Sequence, residues 1–200
     1  KLLTPGPLTT RSAVKHATLT DHCTWDDEYR SITSGVLNDI TSISANDSYA
    51  AVLFQGSGSY AVEAMINCLV KEDEGILFLV NGEYGKRMLA TAGKSGKSFD
   101  YLSFSETQPV DIAVLERKLQ DDDSIRTVVT VHCETTTGVI NPLSDIVKTA
   151  KRYGKKVLVD AMSSFAAYEI DMPGLDIDAL AASANKCLEG LPGLSFVVAK

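Results

Sequence analysis

The chain is expected to fold as an α/β domain of three layers, with a mostly parallel central sheet between helices. Three observations lead there. Short apolar runs alternate with helix-patterned stretches through most of the 200 residues. These runs are apolar at consecutive positions, as strands covered on both faces require. A balance of 44% hydrophobic to 22% charged residues is that of a globular chain with a sizeable core and excludes disorder.

Polar residues and prolines punctuate positions 4–12. WDDEYRSITSGVLNDITSIS (25–44) then sets Ile32, Val36, Leu37 and Ile40 at helical spacing behind an acidic first turn, which predicts a long amphipathic helix. YAAVLF (49–54) is a strand, QGSGS (55–59) a turn, and AVEAMINCLV (61–70) a helix. The same order recurs: GILFLV (75–80) before YGKRMLATAG (84–93), and SFDYLSF (98–104) before VDIAVLERKL (110–119). It continues with IRTVVTVHC (125–133) before PLSDIVKTAKRYG (142–154), then the strand KKVLVD (155–160). A small-residue stretch, SANKCLEGLPG (183–193), precedes a last strand at SFVVAK (195–200). No period of about 20–50 residues repeats, and no low-complexity linker divides the chain.

Charge and composition exclude several classes. Nineteen Lys and Arg against 26 Asp and Glu leave a net charge of −7, with no basic footprint for nucleic acid and nothing to draw the chain to an anionic membrane. No apolar run reaches the roughly 18 residues of a membrane span, and KLLTPGPLTT lacks the apolar core of a secretory leader, so a cytoplasmic location is expected. Cys23, Cys68, Cys133 and Cys187 form no C-x-x-C pair and read as free thiols. His16, His22 and Cys23 lie close in sequence, but no second cluster completes a metal site, and none is expected.

In open α/β sheets ligands sit beyond the carboxyl ends of the strands, which here are residues 55–59, 81–84, 132–137, 160–164 and the SANK stretch ending at Lys186. Gly56-Ser57-Gly58-Ser59 leaves a strand and opens a helix, where free N–H groups and the helix dipole favour an anion. A serine-capped turn with no ligand is the alternative reading. The motif is neither a P-loop nor G-x-G-x-x-G. Asp160 places a carboxylate at the ligand-facing edge after a buried run, and Lys186 follows 26 residues later. Singly, each is ordinarily a helix cap or a solvated charge. Together an anion cup, a carboxylate and a lysine are the three groups that pyridoxal 5′-phosphate (PLP) needs for its phosphate, ring nitrogen and aldehyde.

LLTPGPLTT (2–10), WDDEY (25–29), FQGSGSYAVEA (54–64), NGEYGKRM (81–88), HCETTTGVINP (132–142), VDAMSSF (159–165) and SANKCLEGLPG (183–193) together resemble the class V aminotransferases of PLP fold type I. The resemblance spans the whole chain and is strongest to the branch that passes the amino group of 2-aminoethylphosphonate to pyruvate. The alanine:glyoxylate and serine:pyruvate branch shares the cofactor framework and is one alternative; a non-catalytic fragment that binds PLP or phosphate is another. By the resemblance, Lys186 is the Schiff-base lysine and proton carrier, and Asp160 pairs with the pyridine nitrogen. Ser57, Gly58 and Ser59 form the phosphate turn, Tyr84 stacks on the ring, Thr135 lies near the phenolic oxygen, and Asn185 and Ser183 complete the cofactor set. Arg11 and Arg87 are read as structural or solvated. The resemblance further implies an amino donor and a 2-oxo acid as substrates and a homodimer. Residues 1–200 are expected to hold an N-terminal segment and most of the large PLP-binding domain, with the C-terminal domain and its substrate-gripping arginine beyond residue 200.

Overall fold

A computed structural model describes residues 1–200. Seven strands form one sheet in the order β1-β7-β6-β5-β4-β2-β3. They are β1 (Ala50–Gln55), β2 (Gly75–Val80), β3 (Phe99–Ser103), β4 (Ile125–Val131), β5 (Lys156–Asp160), β6 (Ala179–Ser183) and β7 (Leu194–Ala199). β2, β3, β4, β5 and β6 pair in parallel, whereas β7 runs antiparallel to both β1 and β6. Six strands therefore point one way, and their carboxyl ends share one edge of the sheet.

The sheet separates two apolar layers, because successive side chains of a strand point to opposite faces. On one face Val128, Val157, Val159 and Leu180 pack beneath α2 (Asp27–Ser44), α5 (Ile112–Asp121), α6 (Leu143–Arg152) and the short α7 (Met172–Leu175). On the other, Phe78, Val129, Leu158 and Ala181 meet Ala61, Met65 and Ile66 of α3 (Gly58–Leu69) and Met88 and Ala92 of α4 (Glu83–Lys94). The three-layer expectation from consecutive apolar positions holds: β4, β5 and β6 are buried almost throughout. α6 shows how a helix finds its place, with Leu143, Ile146, Val147 and Ala150 forming one buried stripe at helical spacing.

Three details differ from the sequence reading. The sequence reading assigns no element to residues 179–182, which with Ser183 form β6, although Ala, Leu, Ala, Ala and Ser carry little β-propensity. Their strand state comes from being sandwiched between β5 and β7 with helix α3 packed close above. α3 begins at Gly58 rather than at Ala61, which brings Gly58 and Ser59 into its first turn. A short helix, α1 (Ser12–Ala17), lies where the sequence reading assigns no element, and it buries none of its residues.

The carboxyl edge is held in register by two buried amides. Asn81, just past β2, and Asn141, past β4, exchange side-chain hydrogen bonds of 2.9 and 3.1 Å. Asn141 also donates to Val131 O and accepts from Val110 N, and Asn81 donates to Gln108 O. The three loops that leave β2, β3 and β4 are thus tied into one unit.

Candidate active site

A cleft of about 370 Å³ opens at this carboxyl edge, within the size range of small-molecule sites. It is lined by the turn after β1 (Gly56 to Ser59), by Tyr84 and Arg87 of α4, by Met162, and by Ser183, Asn185, Lys186, Pro192 and Gly193. Deeper in, Asp160 lines an adjoining recess with Gly58, Ser59, Tyr84, Arg87 and Met162. Seven of the nine residues named above for the cofactor thus line the cleft, and an eighth, Asp160, lines the adjoining recess. The ninth, Thr135, stands in the loop after β4, and its hydroxyl lies 2.6 Å from that of Ser163, in the loop after β5.

The anion-binding end is set by α3. Ser57 occupies its N-cap position in an extended conformation, and its side chain makes no capping bond. The Gly58 and Ser59 N–H groups are left to an outside acceptor while Tyr60 N–H turns back to Ser57 O, and the helix dipole adds attraction for negative charge. Gly58 is glycine for space: a Cβ there would run into the thioether of Met162.

The opposite wall carries the two ionisable groups. Asp160 ends β5, is 3% exposed, and accepts a 2.9 Å bond from Met162 N. Burial pushes its carboxyl up to about 6; Glu134 adds to the rise, while the Met162 N–H and the Lys186 charge oppose it. Lys186 is half-buried after β6. The TPGP segment passes directly over it: Leu8 N donates to Asn185 O at 3.0 Å, and a Cβ on Gly6 would meet the Lys186 side chain. Ser183 donates to Asn185 Oδ1 at 2.9 Å, fixing that amide at the cleft.

Arg87 is solvent-exposed, as expected, and its guanidinium also lies 4.7 Å from the centre of the Tyr84 ring and borders the cleft. The spacing of three residues on one helix put the two side chains on one face and could have flagged the pair. Arg11 pairs with Glu189 at 3.2 Å on the surface, an exposed contact of small energetic weight. Met162 and Glu134 were also passed over, and a Glu in the polar run CETTTG carries no sign that it is buried. Outside the cleft, the four cysteines are free, no group of three or more His, Cys, Asp or Glu side chains converges to hold a metal ion, and no helix is long and apolar enough to cross a membrane.

The family model for aminotransferase class V matches residues 27–200. The chain belongs to the class V aminotransferases. Curated relatives in this family include the 2-aminoethylphosphonate–pyruvate transaminase of Bacillus cereus, 46% identical over 201 residues. The enzyme of the same name from Bacillus mycoides is 47% identical over 200 residues. The alignments cover 100% and 99% of this chain and 58% and 55% of those proteins, so the chain spans little more than half the length of the relatives it matches. Among solved structures, the ureidoglycine–glyoxylate aminotransferase of Bacillus subtilis superposes with a TM-score of 0.92 over 98% of this chain and 51% of that one, at 21% identity. The alanine–glyoxylate aminotransferase of Nostoc sp. gives 0.91 at 24% identity, over 99% of this chain and 52% of that one. These likenesses establish the aminotransferase fold, and class V membership implies PLP as the cofactor.

Proposed function

We propose that the full-length protein is a PLP-dependent transaminase that moves the amino group of 2-aminoethylphosphonate to pyruvate, yielding phosphonoacetaldehyde and L-alanine. The observation that carries this reading is the 45–47% identity, over essentially the whole chain, to relatives that bear that name. The alanine:glyoxylate alternative rests on a structural neighbour at 24% identity, far below the identity to the 2-aminoethylphosphonate relatives.

The residues present fit PLP. The uncapped start of α3, with Gly58 kept free of a side chain and Ser57 and Ser59 beside it, suits a phosphate. A buried carboxylate, an aromatic wall at Tyr84 and a lysine border the same space. When bound, PLP supplies an electron sink for the pair released as the C–H bond beside the substrate nitrogen breaks.

The chain's residues then act as follows. Lys186 would hold the cofactor through its aldehyde, and its Nζ would serve as the base that takes and returns the proton of the carbon bearing the substrate nitrogen. Asp160, held by Met162 N–H, would pair with the ring nitrogen and hold its proton in place. Tyr84 would stack on the ring, and the TPGP segment lies over Lys186. Asn185 and Ser183 would border the phosphate side, and Thr135 would offer a hydroxyl to the phenolic oxygen. The groups that grip the substrate's acidic end belong to a C-terminal domain beyond residue 200, and the active protein is a cytoplasmic homodimer.

Borohydride reduction of the PLP-loaded protein, followed by peptide mapping, tests the assignment of Lys186: the cofactor is expected on that lysine, and an adduct elsewhere overturns it. Substrate choice is tested by single-turnover absorbance changes with two donor sets, 2-aminoethylphosphonate in the first and L-serine in the second, because L-alanine reacts in reverse under either reading. A faster reaction with the second set would replace the reading by the alternative.

A further inference from the structure

Glu134 is fully buried, at 0% exposed, yet it faces no cation. Its donors are the Tyr84 N–H, shared between the two oxygens at 3.3 and 3.5 Å, the Thr136 N–H at 3.3 Å and the Thr136 hydroxyl at 2.9 Å. A carboxylate buried without a counter-charge is costly unless backbone donors and a helix dipole hold it. Here they do, because Tyr84 lies in the first turn of α4, where N–H groups have no partner within the helix. The approach is close enough to constrain the facing residue. A Cβ on Gly82 would overlap Glu134 Cγ and Cδ and come within 2.7 Å of Oε2.

We propose that Glu134 is a positioning residue for the cofactor cleft: its carboxylate clamps the start of α4 to the loop after β4 and so sets where Tyr84 stands against PLP. The two elements it joins carry Tyr84 and Arg87, which line the cleft from α4, and Thr135, on the loop, which the proposed function assigns to the cofactor. Without the clamp, α4 keeps its buried residues Met88 and Ala92, so the helix stays folded while its first turn shifts. A helix-capping role alone would stabilise the fold and leave the cofactor untouched; a positioning role acts through Tyr84.

This inference rests on the PLP reading above, and a double-mutant cycle separates the two. PLP affinity, read from the absorbance of the bound cofactor, is measured for the full-length protein, Glu134→Gln, Tyr84→Leu and the double variant. Glu134→Gln is expected to weaken PLP about tenfold and to shift the absorbance band, with most of that loss absent in the Tyr84→Leu background, as for residues coupled through one network. Gly82→Ala, which displaces the carboxylate and keeps its charge, should behave the same way; its φ of 177° is open to alanine. It carries the cycle if Glu134→Gln does not fold. Glu74→Gln, which breaks a 2.9 Å ion pair with Lys156 remote from the cleft, should lower the melting temperature and leave PLP affinity unchanged. An equal loss in both Tyr84 backgrounds, or no loss, overturns the positioning role and leaves the functional reading standing. A parent protein that takes up no PLP overturns both.

Discussion

Asp160→Asn keeps the shape of a buried side chain while removing its charge. The carboxyl rises from 3.8 to about 6, chiefly through burial. A rise of roughly 2 at about 1.4 kcal/mol each makes ionised Asp160 a cost of about 3 kcal/mol to the cofactor-free fold. The sign follows from proton binding. Between 3.8 and about 6 the folded state holds more protons than the unfolded one, so this contribution is most favourable below 3.8 and is lost as pH rises through 6. An Asn oxygen still accepts from Met162 N. Urea unfolding of cofactor-free protein should therefore show Asp160→Asn more stable than the parent by about 1–3 kcal/mol at pH 8, with the gap closing towards pH 4. PLP should bind the variant more weakly, because the partner of its ring nitrogen has lost its charge. A gap that is negative at pH 8, or that does not change with pH, would refute the reasoning.

Other outcomes follow from close contacts. Gly58→Ala should weaken PLP about tenfold or more by driving the Met162 thioether into the recess, and Met162→Ala in the same chain should recover part of the loss. Gly6→Ala, at a φ of 154° and against the Lys186 side chain, should slow borohydride trapping of the cofactor while changing phosphate-end contacts little; an unchanged trapping rate would show that the strap does not bear on Lys186. Asn141→Ala orphans Asn81 Oδ1 and the Val110 N–H, each worth roughly 1–3 kcal/mol when left buried and unpaired, while Asn81 keeps its bond to Gln108 O. A loss below about 1 kcal/mol in urea unfolding would mean that the loops are not tied through this pair.

The legible part of the molecule was what local pattern dictates. Strands such as 75–80 and 125–131 are apolar at successive positions because both their faces are covered, and that feature alone called for helices on both sides of a parallel sheet. The same logic located the carboxyl edge, and with it the Gly-Ser turn, Asp160 and Lys186. What local pattern could not carry was any property of a pair distant in the chain. β6 is a strand because its neighbours need one, although its alanines do not ask for it. Arg87 reads as one more surface cation until the fold sets it over Tyr84 at the mouth of the cleft.

Chain order and residue type by themselves thus determined the layers, the edge at which ligands sit, and the chemical groups offered there. Tertiary structure decided their electrostatic state and their support. Asp160 titrates near 6 only because the sheet buries it beside Glu134, and Glu134 is a clamp only because α4 begins against it, 50 residues back along the chain. Burial and dipole alignment are fields summed over the whole fold, and no window of sequence contains them.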